Sequence, residues 1–160
     1  MNVLKLALVS CGFLGCSPFA PGTVGTLGGV AIAYLLKDSE HYLVWTLVAC
    51  VVLYAITAPL GHWAERYAGK KDPGIFVMDE VIGYLITVAW TRGPSLTALV
   101  VAFFVFRFFD ILKPPPARQM EAFPGGHGIL LDDVMAGLWG LAVMVAARNL
   151  IDVPWTVGGA

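Results

Sequence analysis

Residues 42–60 read YLVWTLVACVVLYAITAPL, without a single acid or base. A bilayer's hydrocarbon core is about 30 Å thick and takes about 20 such residues as one α-helix. Residues 6–36 are equally free of charge, and 96–106 and 134–147 add shorter apolar runs with polar ends. The chain has 160 residues, of which 58% are hydrophobic and 13% charged. Its mean hydropathy of +0.78 is too high for an ordinary soluble domain. The reading that follows is an all-α fold. It is a small polytopic membrane helix bundle of one domain, residues 1–160. A very apolar soluble helical oligomer is the competing expectation.

Charge and cysteine usage narrow the function classes. The net charge is −1 and no basic run exists, so nucleic acid is not an expected partner. Cys11, Cys16 and Cys50 lie in apolar surroundings without metal-binding spacing, which reads as small apolar filler. The N-terminus imitates an export signal, because Lys5 precedes an apolar stretch that ends near Cys11 or Cys16. Several later spans already provide anchoring, so the first segment is expected to stay in the fold.

The periodicity and breakers give six helical pieces, over 3–16, 26–36, 42–60, 79–90, 95–112 and 132–151. Residues 17–25 form a Pro/Gly/Thr loop between the first two. Residues 62–71 are polar and leave the membrane. Residues 114–116, all proline, stop the fifth piece, and 124–128 form a Gly-rich loop. The piece at 79–90 is about 18 Å long, shorter than a span, and is expected to be partly inserted. Protein partners and a homo-oligomeric state stay open.

Against this background the acids stand out. Asp79-Glu80, Asp110 and Asp132-Asp133 all adjoin apolar helical segments, where a lone carboxylate is costly. Separately, each has an ordinary explanation. The doublets sit at helix starts, where the dipole favours acids. Asp110 has Arg107 and Lys113 three residues away on either side. Up-down threading brings all three sites to one membrane face, which three independent caps do not explain. Hard divalent cations take carboxylate oxygens, so Asp79, Glu80, Asp110, Asp132 and Asp133 are the candidate metal ligands and Mg²⁺ the expected ion.

The segment SPFAPGTVGT, residues 17–26, places glycines and hydroxyls just before a helix. Helix N-termini with free N–H groups bind phosphate, and no Gly-Lys-Ser/Thr follows that would make this a nucleotide loop. Ser17, Gly22, Thr23, Gly25 and Thr26 are therefore candidate phosphate contacts; a simple proline-glycine turn is the alternative. Arg107 and Lys113 are candidate phosphate-binding cations, or charge balance for Asp110. His127 lies in the second Gly-rich loop and reads as solvent-facing. No Cys-x5-Arg and no Asp-x-Asp occurs, and the pattern of histidine-based lipid phosphatases is missing. Metal-assisted hydrolysis by acids remains.

These segments resemble the phosphatidylglycerophosphatase A family of bacterial membrane enzymes. The matching residues are Ser17-Pro18 with 21–26, 79–83, Phe106-Arg107 with Asp110 and Lys113-Pro114, and Gly125-Gly126 with Gly128-Ile129 and 132–137. The resemblance implies a membrane-embedded lipid phosphatase domain. It would remove the terminal phosphate of phosphatidylglycerophosphate with Mg²⁺. Asp132, Asp133, Glu80 and Asp110 would be catalytic in an inner-membrane enzyme. Arg66, Lys70, Lys71, Lys113 and Arg118 flank the acidic side against Lys37, Arg92 and Arg148 opposite, so the positive-inside rule makes the acidic face cytoplasmic. A cation-transporting or non-catalytic small membrane protein with an intramembrane acidic cluster is the rival. Transport predicts acids at mid-span, whereas these lie toward helix ends.

Overall fold

The computed structural model describes residues 2–157, and among them the chain is helical throughout, without a strand. The helices are α1 (Asn2–Val9), α2 (Pro21–Leu36), α3 (Tyr42–Thr57), α4 (Gly61–Ala68), α5 (Met78–Thr87), α6 (Leu96–Leu112), α7 (Ala117–Met120) and α8 (Gly126–Leu150). A 3₁₀ turn at Ala58–Leu60 joins α3 to α4, so Tyr42–Ala68 is one helical stretch. That stretch and α8 are each long and apolar enough to cross a membrane.

The burial pattern of α3 says which solvent it meets. Its buried residues are Tyr42, Thr46 and Thr57, while Val44, Trp45, Leu47, Val51 and Ile56 are exposed. A soluble helix turns its apolar stripe to the core and its polar face outward. Here the polar side chains face inward and the hydrocarbon faces out, the pattern expected of a helix against lipid. The Thr57 hydroxyl donates to Leu53 O at 2.7 Å, and Tyr42 Oη donates to Val88 O on the protein side at 3.3 Å. The protein is a membrane protein, and α3 lies on its lipid-facing wall.

α5 is the central post. Val81, Ile82, Tyr84 and Leu85 are at most 1% exposed, and the helix packs chiefly on α8, then on α2, α3 and α6. Its 10 residues rise about 15 Å, half a span, so neighbouring helices surround it. It runs parallel to α8 through a close backbone crossing. A Cβ on Gly83 would meet Asp133 O at 2.6 Å, and one on Gly137 would meet the Gly83 backbone. Thr87 Oγ1 donates to Gly83 O at 3.0 Å and to Gly137 O at 3.3 Å. Tyr84 Oη donates to Leu99 O at 2.9 Å and ties α5 to the antiparallel α6. Hydrogen bonds and small residues hold helices together where lipid supplies no hydrophobic drive.

Three boundaries differ from the sequence reading. The first helix ends at Val9, not at residue 16. Ser10 donates to Leu6 O and accepts from the Phe13 N–H, and Cys11, Gly12 and Phe13 all take positive φ. The proline-glycine loop is only residues 17–20, because α2 begins at Pro21. Proline suits a first helical turn, where its missing N–H has no partner to lose. The last helix begins at Gly126, six residues before Asp132. Asp132 and Asp133 are therefore not helix-start acids, and a dipole that fades within the first turn does not account for them.

Candidate active site

The close crossing of α5 and α8 builds the site one helical turn above it. Asp79 lies four residues before Gly83, and Asp133 four before Gly137, so the touching glycines set the two aspartates facing each other. One ligand oxygen each from Asp79, Glu80 and Asp133 lies within 4.8 Å of the others. Asp79 is 7% and Asp133 2% exposed. Glu80 Oε2 is sealed from solvent without a hydrogen-bond partner. Within each doublet, the first aspartate's Oδ1 accepts the next residue's backbone N–H, at 3.0 Å for Asp79 and 2.9 Å for Asp132.

Burial and mutual repulsion act on the carboxyls of the cluster. Burial pushes the Asp79 carboxyl well above its ordinary range, and the adjacent Glu80 and Asp133 carboxylates push it further. Glu80 is also raised, chiefly by burial. The hydrogen bond with Asp79 lowers it, Asp110 raises it, and Arg107 lowers it. Three buried carboxylates with an orphaned oxygen are the donor set of a hard cation. The residues fit a divalent ion, and Asp79, Glu80 and Asp133 are the ones that would hold it.

The remaining acids flank this trio. Asp110, on α6, neighbours Glu80 and Asp133 and is ion-paired with Arg107 Nη1. Arg107 Nε is buried without a partner. Asp132 points away from the trio, and its Oδ2 accepts from Lys113 Nζ at 2.6 Å. Lys113 also donates to Glu121 Oε1 at 2.6 Å. Burial alone would lower the Lys113 ammonium, but the hydrogen bonds it donates to Asp132 and Glu121 outweigh it and hold it above its ordinary range. Lys113 thus pairs with Asp132 and Glu121, whereas the sequence offered it either to phosphate or to Asp110 as charge balance. A polar recess of about 170 Å³ beside Asp132 is lined by Lys71, Asp72, Glu121, Gly128 and Ile129.

The predicted phosphate segment divides in two. Gly22 sits in the first turn of α2 against the cluster, where a Cβ would run into Glu80 and reach Arg107 Nη1 at 3.1 Å. Thr23 is half-buried beside it. Thr26 is fully buried, and its hydroxyl donates to Gly22 O at 2.8 Å. Gly25 packs on the Val77 side chain, and Ser17 closes a local turn with Phe19. Ser17, Gly25 and Thr26 are turned to packing and turn formation, because the segment from Pro21 onward is helix rather than loop. His127 is exposed and bonds Tyr54 Oη at 2.7 Å, apart from the acids. Sequence reasoning missed Asp72 and Glu121, which lie in polar segments where acids are unremarkable.

Fold and site together define a helical membrane protein with a buried acidic centre that could hold a metal ion. Residues 7–148 match the family model described as Phosphatidylglycerophosphatase A. A Bacteroides thetaiotaomicron protein named putative phosphatidylinositol-3-phosphatase is 36% identical over 94% of this chain and 94% of its own. Proteins named phosphatidylglycerophosphatase A are each 35% identical. The one from Haemophilus influenzae covers 92% of this chain and 90% of its own, and the one from Escherichia coli 82% and 76%. No solved structure matches. The chain belongs to the phosphatidylglycerophosphatase A family and is a hydrolase of lipid phosphate monoesters.

Proposed function

We propose that the chain is a Mg²⁺-dependent phosphatidylglycerophosphatase of the bacterial inner membrane, with its site facing the cytoplasm. The observation that carries the metal-dependent reading is the trio Asp79, Glu80 and Asp133, buried together with one carboxylate oxygen unpartnered, in a member of this family. Held there, Mg²⁺ supplies positive charge to the phosphoryl oxygens as a Lewis acid. The protein's own side chains do the rest. Arg107, oriented by Asp110, offers its unpartnered Nε to the phosphate. Asp132 and Glu121 fix Lys113 as a second cation on the Asp132 side of the cluster. Gly22 leaves room for the phosphate by carrying no side chain at the cluster. Water displaces the lipid alcohol, breaking the ester P–O bond and releasing inorganic phosphate and phosphatidylglycerol.

The test is phosphate release by the purified protein in detergent from phosphatidylglycerophosphate, with Mg²⁺ and with a chelator. Release with Mg²⁺ and none with chelator is expected; equal release in both would remove the metal from the reaction. The 36% identical relative favours a second substrate reading, phosphatidylinositol 3-phosphate. Both lipids carry a phosphate monoester on a headgroup joined to the glycerol backbone by a phosphodiester. A parallel assay decides between them by the ratio of kcat/KM.

A further inference from the structure

The helices that deliver Gly22 and Arg107 to the acids also enclose an apolar groove. It has a volume of about 480 Å³ and runs between α2 and α6 on the outer wall. Leu27, Ala31 and Tyr34 line one side, and Val100, Phe103 and Phe104 the other. Phe103 is half-buried, and the other five face outward. Leu27 is five residues from Gly22, about 8 Å along α2. Phe104 is three residues from Arg107, about 5 Å along α6. From Leu27 to Tyr34 the groove continues for about 10 Å. Offset and length together make roughly 18 Å, close to one leaflet of a hydrocarbon core about 30 Å thick.

We propose that this groove holds one acyl chain of the substrate while the phosphate sits at the Gly22–Arg107 end. The proposal rests on the lipid-phosphatase reading above and adds where the enzyme reads the lipid part. Continuity argues for substrate rather than bulk lipid. On the α6 wall Phe103 and Val100 lie four and seven residues before Arg107 on the same helix face, and the groove descends from there into the membrane. On the α2 wall Leu27, Ala31 and Tyr34 lie within three and a half turns of Gly22 but on the outer side of the helix. A hydrocarbon chain tethered to a headgroup at the site has this path open to it. A second cavity, about 700 Å³, lies among Trp90, Arg92, Arg148, Asp152 and Trp155 at the far end of α8, away from the acids. Filling the α2–α6 groove should therefore cost the long-chain substrate its extra binding and leave the headgroup chemistry intact.

The experiment compares Ala31→Trp and Val100→Trp, which fill the groove, with Leu47→Trp on the exposed face of α3. Each is assayed on long-chain phosphatidylglycerophosphate and on its deacylated, water-soluble headgroup. The expected result is a tenfold or larger fall in kcat/KM on the long-chain lipid for both groove variants. Turnover of the headgroup should stay within about twofold of wild type, and Leu47→Trp should match wild type on both. Equal losses on both substrates, or no loss on either, would overturn the groove while leaving the phosphatase reading standing. Absence of phosphate release by the wild-type protein would overturn that reading and the groove with it.

Discussion

Asp133 and Asp132 are neighbours with different jobs, and that difference is testable. Asp133 faces Asp79 and Glu80, whereas Asp132 bonds Lys113. Asp133→Asn removes a carboxylate from the cation site and should lower kcat/KM at least about 100-fold, the scale on which loss of a preorganised electrostatic group acts. Asp132→Asn loosens Lys113 and should cost about 10- to 100-fold, as outer partners of a site do. Phosphate-release kinetics on both variants check the ranking; a milder effect at Asp133 than at Asp132 would reverse the assignment. The raised Asp79 carboxyl adds a pH effect. Its folded pKa lies above the unfolded value near 3.8, so the folded state binds the extra proton. Metal-free stability from this group is then fully present below that value and declines as pH rises through the folded pKa. Thermal unfolding with chelator should therefore show a Tm that falls from pH 5 to pH 8. Mg²⁺ should raise Tm more at pH 8 than at pH 5.

At the level of helices, the α5–α8 crossing sets the site. Gly137→Val would drive a branched side chain into the Gly83 backbone. Overpacking of this kind costs about 1–3 kcal/mol and would part Asp79 from Asp133. Lower thermal stability together with weaker Mg²⁺ binding is expected; full stability and full binding would mean that the helices do not cross there. This device was not legible in the sequence, because two glycines in apolar runs look like any others until a crossing joins them. The acids were legible for the opposite reason: charge is rare in this chain, so Asp79, Glu80, Asp110 and Asp133 stood out. Helix starts were harder to see. Pro21 and Gly126 both open helices, yet each sits in a stretch that reads as a turn. Extending α8 back to Gly126 removed the capping explanation for Asp132 and Asp133 and left only burial beside other charges.

Across the whole molecule, the fold has a polar end and a lipid-facing waist. Arg66, Lys70, Lys71, Lys113 and Arg118 follow helices that end at the acidic side, while Lys37, Arg92 and Arg148 lie at the other. By the positive-inside rule this asymmetry supports the proposed cytoplasmic placing of the acidic end. Lys70 and Asp38 are exposed at opposite ends. In a chain cleared of its native cysteines, Asp38→Cys should react with a membrane-impermeant thiol reagent in intact spheroplasts. Lys70→Cys should react only after the membrane is opened, and the reverse pattern would invert the protein.

All of this depends on side chains from α5 and α8 making one cation site. Mn²⁺, a paramagnetic stand-in for Mg²⁺, reports that site by electron paramagnetic resonance independently of any turnover. Titration of the detergent-purified protein should show saturable Mn²⁺ binding that Mg²⁺ displaces and that Asp133→Asn and Glu80→Gln each abolish. Binding unchanged in both variants, or none in the wild type, would contradict the account.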